Sequence, residues 1–208
     1  MVKSIFLLSF IILTLNLSAQ SNFEKKIAND LAYGIKFGLS ASHLASDKGN
    51  FDVRASFLTG LTAEYPIYKK LNLKLDLLYL RQGQSDRKKT SEGGLIENNL
   101  KLDYVSIPLL FSYPVVEKLR IESGLGMSFL VRAKQEFFNN NEQIISTNDE
   151  DFNDFDLNFN LGLYYPTSWN FVVGLRYSRG FVEVNQNEDL FDTSAFNSIF
   201  QLSLEYRF

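Results

Sequence analysis

The chain has 208 residues, 22% of them charged, with a formal net charge of -3, which gives no basic footprint for nucleic acid. It has no cysteine and one histidine, which excludes a disulfide scaffold, a Cys-ligated or His-rich metal centre, a thiol nucleophile and a lipid-modified N-terminal cysteine. Aromatics are abundant (19 Phe, 10 Tyr, 1 Trp), prolines number only 4, and 45% of residues are hydrophobic.

The chain opens with Lys3, an apolar run from Ile5 to Leu15, and the small-residue stretch Ser18-Ala19-Gln20. This is the pattern of a secretory signal peptide over residues 1–20, too short to span a bilayer as a helix, with cleavage expected near Ala19 or Gln20. A short periplasmic leader is expected over residues 21–32, where Phe23, Ile27 and Leu31 share one helical face. No later apolar run approaches the length of a membrane helix.

From residue 33 to 208 the period changes to two. Apolar residues alternate with polar or small ones along Tyr33–Ala41, Phe57–Tyr65, Leu71–Tyr79, Leu119–Val131, Phe155–Tyr165, Phe171–Tyr177 and Phe200–Phe208. A side-chain period of two places each set on one face of a strand. The segment from Leu100 to Tyr113 is less regular. Leu100, Leu102 and Tyr104 are in one phase and Val105 to Tyr113 in the other, so a bulge is expected near Tyr104, with Pro108 removing a ladder donor beyond it. This strand makes eight. Tyr65-Pro66, Tyr113-Pro114 and Tyr165-Pro166 each close an even-numbered strand and open a tight turn. The other connections, residues 44–54, 84–98, 136–153 and 183–197, read as long polar loops. The fold class is therefore all-β, an eight-stranded antiparallel up-and-down barrel.

Such a barrel closes with its apolar face inward around a ligand, as in soluble lipocalins, or outward to lipid with a polar lumen. In the second case Lys36, Glu64, Lys74, Asp76, Arg120, Glu122, Arg176 and Glu205 form a paired network inside. Four features favour a transmembrane barrel. The apolar face is nearly free of charge for about ten residues per strand, enough to cross a bilayer at a tilt. Tyr33, Tyr65, Tyr113, Tyr165 and Trp169 cluster at the tight-turn end, as interface anchors do. Short turns oppose long loops. Finally, Tyr206 and the terminal Phe208 resemble the signal read by the outer-membrane assembly machinery.

The stretches Leu71 to Gly83 (LNLKLDLLYLRQG) and Leu102 to Leu110 (LDYVSIPLL), with the terminal Tyr206-Arg207-Phe208, resemble the PorT-like outer-membrane β-barrel family. The resemblance covers the mature chain and implies the barrel, but no activity, catalytic residue or cofactor. The expected partners are outer-membrane lipid and lipopolysaccharide, the barrel-assembly machinery and other envelope proteins.

Three clusters are candidates for chemistry. His43, beside Ser40, Ser42, Ser46 and Asp47, is the one available imidazole base for a lipid-modifying barrel enzyme. Asp149, Glu150, Asp151 and Asp154 form an acidic loop that is a candidate cation site, although its spacing matches no EF-hand. Arg81, Arg87, Lys88 and Lys89 are a candidate contact for anionic lipopolysaccharide. The favoured reading is a non-enzymatic membrane anchor. A soluble ligand-binding barrel and a lipid-modifying enzyme are the alternatives.

Overall fold

The computed structural model describes residues 30–45, 53–89, 95–139, 142–146, 152–184 and 196–208. The signal segment, nearly all of the leader, and Ser46 and Asp47 lie outside them, as do Asp149, Glu150 and Asp151. The unit Ala32–Phe208 is the barrel, beginning one residue before the expected boundary.

The strands are β1 (Ala32–Ala45), β2 (Arg54–Tyr68), β3 (Leu71–Lys89), β4 (Leu95–Pro114), β5 (Arg120–Asn139), a short β6 (Glu142–Ser146), β7 (Phe155–Pro166), β8 (Phe171–Glu183) and β9 (Phe196–Arg207). All pairings are antiparallel, and β1 closes on β9 from Gly34↔Arg207 to Ala45↔Phe196. Eight strands complete the ring. β6 is an addition that shares the edge of β5 with β7: β7 pairs with Arg120 to Phe129, and β6 with Gln135 to Asn139.

The burial pattern is inverted relative to a soluble protein. Among the described residues 23 polar or charged side chains are buried against 13 apolar ones, most of the polar ones in the lumen, while 34 large hydrophobics are exposed. The outward row Val105, Ile107, Leu109, Phe111 and Tyr113 spans about 27 Å of strand. At a tilt of about 40° it stands roughly 21 Å tall, close to the ~25 Å apolar band of outer-membrane barrels. This overturns the lipocalin alternative, which requires an apolar interior with room for a ligand. The cavity at mid-barrel, beside Ser106, Asn158 and Arg176, measures about 10 Å³, space for about one water.

Two expectations need correction. β4 keeps one phase throughout: Leu100, Leu102, Tyr104, Ser106, Leu110 and Ser112 are all buried inside. Its apolar start is not a switch of face. The interior itself changes from polar to apolar toward the loop end, where Leu58, Leu80, Leu100, Leu102, Tyr104, Ala133 and Ile199 pack with Phe152 and Val184 from the loop-side ends of the chain's return segments. A bulge does fall beside Tyr104, between Asp103 and Tyr104, but its extra residue is on β5. Asp103 pairs with Arg132 and Tyr104 with Leu130, leaving Val131 as the extra residue. Pro108 does break a ladder, because the β3–β4 pairing skips from Leu75↔Leu109 to Leu78↔Ser106.

The second correction concerns residues 84–98 and the start of 136–153, expected as loops. The β3–β4 ladder runs on from Arg81↔Asp103 to Lys89↔Leu95, and the β4–β5 ladder to Ile96↔Asn139. β2 leaves β3 after Leu58↔Leu80, and Gly83, at φ 128°, sits where β3 continues without it. A four-stranded wall, β3-β4-β5-β6, thus rises above the apolar belt by about eight residue steps of β3, roughly 27 Å of strand.

Candidate functional site

The lumen near the tight turns gathers all eight charges named from the sequence. Lys36 Nζ lies 2.7 Å from Asp76 Oδ2. Arg176 bridges Asp76 at 2.9 Å and Glu122 at 2.6 Å. Lys74 stands 3.5 Å from Glu122 and 3.0 Å from Glu205, and Glu205 returns to Lys36 at 3.9 Å. Six side chains from β1, β3, β5, β8 and β9 therefore make a closed ring of alternating sign, each at most 5% exposed. Charges this deep are tolerated only when paired on every side. Glycine makes the room: a Cβ at Gly162 would sit 2.9 Å from Glu122 Oε1.

A second cluster lies nearer the turn-side mouth. Glu64 accepts hydrogen bonds from Asn72 Nδ2 (2.6 Å), Ser112 Oγ (2.9 Å), Tyr164 Oη (2.7 Å) and Arg207 (2.6 Å), with Arg120 at 3.8 Å. Arg207 also donates to Glu205 at 2.7 Å, joining the two clusters. The Tyr164 ring carries Lys74 at 4.6 Å, Arg207 at 5.7 Å and Arg120 at 5.8 Å from its centroid. Besides Asn72 and Ser112, the members that sequence reasoning missed are Tyr164 and Arg207. Both stand in the polar phase of their strands, Tyr164 with Asn158 and Asn160, Arg207 with Glu205, and that phase was the available signal. The ring binds five strands to one another across the lumen, and its charges are spent on each other.

The other candidates are not assembled into sites by the described residues. His43 lies on the outward face of β1 opposite Ser198, whereas Ser40 and Ser42 point inside, where Ser42 Oγ donates to the Gly83 carbonyl at 3.0 Å. Asp154 is exposed, its carbonyl accepting from Leu130 N at 2.8 Å, and among the described residues no cluster of metal-ligating side chains occurs. Of the basic loop residues, Arg81 pairs with Asp103 at 2.5 Å, while the side chains of Arg87, Lys88 and Lys89 lie outside the described residues.

At the turn-side rim Tyr33, Tyr113, Tyr165 and Trp169 are exposed and Tyr65 half-buried. The Phe208 ring lies tilted 5.7 Å from Tyr33 and edge-on 5.5 Å from Tyr206, and its N–H donates to the Tyr33 carbonyl at 3.0 Å across the β1–β9 closure.

A closed eight-stranded barrel with lipid-facing apolar walls, a charge-paired lumen and an aromatic rim is an outer-membrane β-barrel. The chain matches the family model described as "Outer membrane protein beta-barrel domain" over residues 18–186 and belongs to that family, which places it in the outer membrane. Its fold is similar to that of Ail, the attachment invasion locus protein of Yersinia pestis, at 17% identity over 85% of this chain and 98% of that one, TM-score 0.52. It is also similar to Neisserial surface protein A, at 13% identity over 85% and 97% of the two chains, TM-score 0.53. None of the curated proteins matches the sequence.

Proposed function

We propose that this protein is a non-enzymatic envelope protein of the PorT-like kind, a sealed anchor that presents its raised β3-β4-β5-β6 wall to partners outside the membrane. The observation that carries the reading is the continuation of the ladder nine pairs beyond the apolar belt, from Arg81↔Asp103 to Lys89↔Leu95. A barrel that serves only as a plug has no use for ordered sheet above the lipid. Outer-membrane lipid and lipopolysaccharide surround the body, the barrel-assembly machinery inserts it, and envelope proteins meet the wall. The test is complementation of a deletion strain scored for envelope integrity, secretion and gliding. A chain lacking residues 86–98 is expected to reach the outer membrane in heat-modifiable form and fail to complement. Full complementation by it, or lipid of altered covalent structure in the deletion strain, would overturn the reading.

A further inference from the structure

The foot of the wall carries a charge arrangement that the lumen does not explain. On the outward face of β3, β4 and β5, side chains stack in rows set by the register. The last lipid-facing row is Tyr79, Val105 and Phe129. Directly above it stand Arg81, Asp103 and Arg132, and above those Lys101 and Lys134, paired across β4 and β5. Asp103 is shared by Arg81 at 2.5 Å and the adjacent Arg132, and Glu136 by Lys101 at 2.6 Å and Lys134 at 2.8 Å. Four cations thus answer to two carboxylates.

The bulge on β5 is what builds this patch. If Leu130, Val131 and Arg132 simply alternated, with Leu130 facing inward, Arg132 would enter the apolar cluster beside Leu102 and Tyr104. Because Val131 is taken up as a bulge, both Val131 and Arg132 lie exposed on the outer wall, and Ala133 takes the inward place, fully buried. The bulge therefore keeps the Arg132 guanidinium outside, opposite Asp103 and above the last lipid-facing row.

We propose that Arg81, Lys101, Arg132 and Lys134 form a docking surface for the phosphate groups of lipid A, the anchor of lipopolysaccharide in the outer leaflet. The surface is continuous with the acyl-facing belt and lies on the loop side, which faces outward in these barrels. Its excess positive charge complements phosphate, which guanidinium binds through paired hydrogen bonds. The inference rests on the reading of lipopolysaccharide as a partner. It does not depend on the wall having a protein partner, so an assay on pure protein separates the two.

The test uses the mature barrel folded into phosphatidylcholine nanodiscs, with bound diphosphoryl lipid A counted by native mass spectrometry. Substituting both Arg132→Gln and Lys134→Gln is expected to weaken lipid A binding roughly thirtyfold, the scale of two cations at an anionic lipid surface. Lys118→Gln, on the opposite rim, is expected to leave it unchanged. Heat-modifiable mobility confirms that each variant is folded, and Lys134→Gln alone, expected to cost about fivefold, serves if the double variant is not. Undiminished binding by the substituted barrel, an equal loss in Lys118→Gln, or phosphatidylglycerol binding as tightly as lipid A would overturn the proposal.

Discussion

The alternating ring predicts a stability effect that depends on charge balance more than on any single contact. Arg176→Met removes the cation that joins Asp76 at 2.9 Å to Glu122 at 2.6 Å. Three buried carboxylates are then left with two ring cations, Lys36 and Lys74, and Glu122 keeps only the longer 3.5 Å approach of Lys74. An uncompensated buried charge of this kind costs about 3–5 kcal/mol, a large share of the roughly 5–15 kcal/mol that holds a domain folded. Adding Glu122→Met restores the balance, leaving the pairs Lys36–Asp76 and Lys74–Glu205 intact at 2.7 and 3.0 Å. The double variant is therefore expected within about 2 kcal/mol of the parent, because a buried pair replaced by apolar side chains of similar size is often near neutral. Urea unfolding of the barrel in micelles, followed by tryptophan emission and by gel mobility, measures the cycle. A coupling energy near zero, with the double variant as costly as the two singles summed, would refute the ring as a charge-balanced unit.

Three further outcomes follow from the packing. Deleting Val131 removes the bulge but keeps Leu130 and Ala133 inward and Arg132 opposite Asp103 on the outer wall, because one residue fewer restores plain alternation. Urea unfolding should stay within about 1 kcal/mol of the parent, and a loss of about 3–5 kcal/mol would mean that the deletion drives Arg132 into the apolar cluster. Because the mid-barrel cavity is only about 10 Å³, the protein in planar bilayers should carry no stepwise current, and a stable open conductance would contradict the sealed lumen. The third concerns acid. Burial alone would raise Asp103, but hydrogen bonds from Arg81 and Tyr79 hold it below its ordinary 3.8, and hydrogen bonds from Lys101 and Lys134 hold Glu136 below 4.5. Carboxyls depressed in the folded state add stability that is complete above those ordinary values and is lost as pH falls through the lower folded ones. Hydrogen exchange of the wall's amides, corrected for intrinsic rates, should thus be unchanged down to about pH 5 and lose protection only in stronger acid. Loss of protection at mildly acidic pH would remove the two carboxylates from the account.

The barrel body was legible because lipid contact imposes a strict period of two, and Leu157, Phe159, Leu161 and Leu163 announce a strand without help from the rest of the chain. The charged members of the lumen were legible for the same reason, as the polar half of that alternation. Their partners were not, since Lys36 meets Asp76 and Arg176 meets Glu122 only once five strands close. Tyr164 was hidden among aromatics that serve as rim anchors, although its neighbour Tyr165 is the one that faces outward. The wall escaped notice because residues 84–98 show no sustained alternation of apolar and polar side chains, so the period-two signal is missing there. Leu100, Leu102 and Tyr104 misled for a related reason: a polar interior was assumed along the whole barrel, and the loop end is sealed with apolar side chains.

The central claim is an inverted barrel in lipid, and the cysteine-free chain allows it to be tested one position at a time. Single cysteines placed along β7 at Asn158, Phe159, Asn160, Leu161 and Leu163 and folded into liposomes report their surroundings by reaction with a lipid-soluble maleimide. Modification is expected at Phe159, Leu161 and Leu163 and not at Asn158 or Asn160, which face the sealed lumen. Modification in the opposite phase, or at none of the five, would contradict the account.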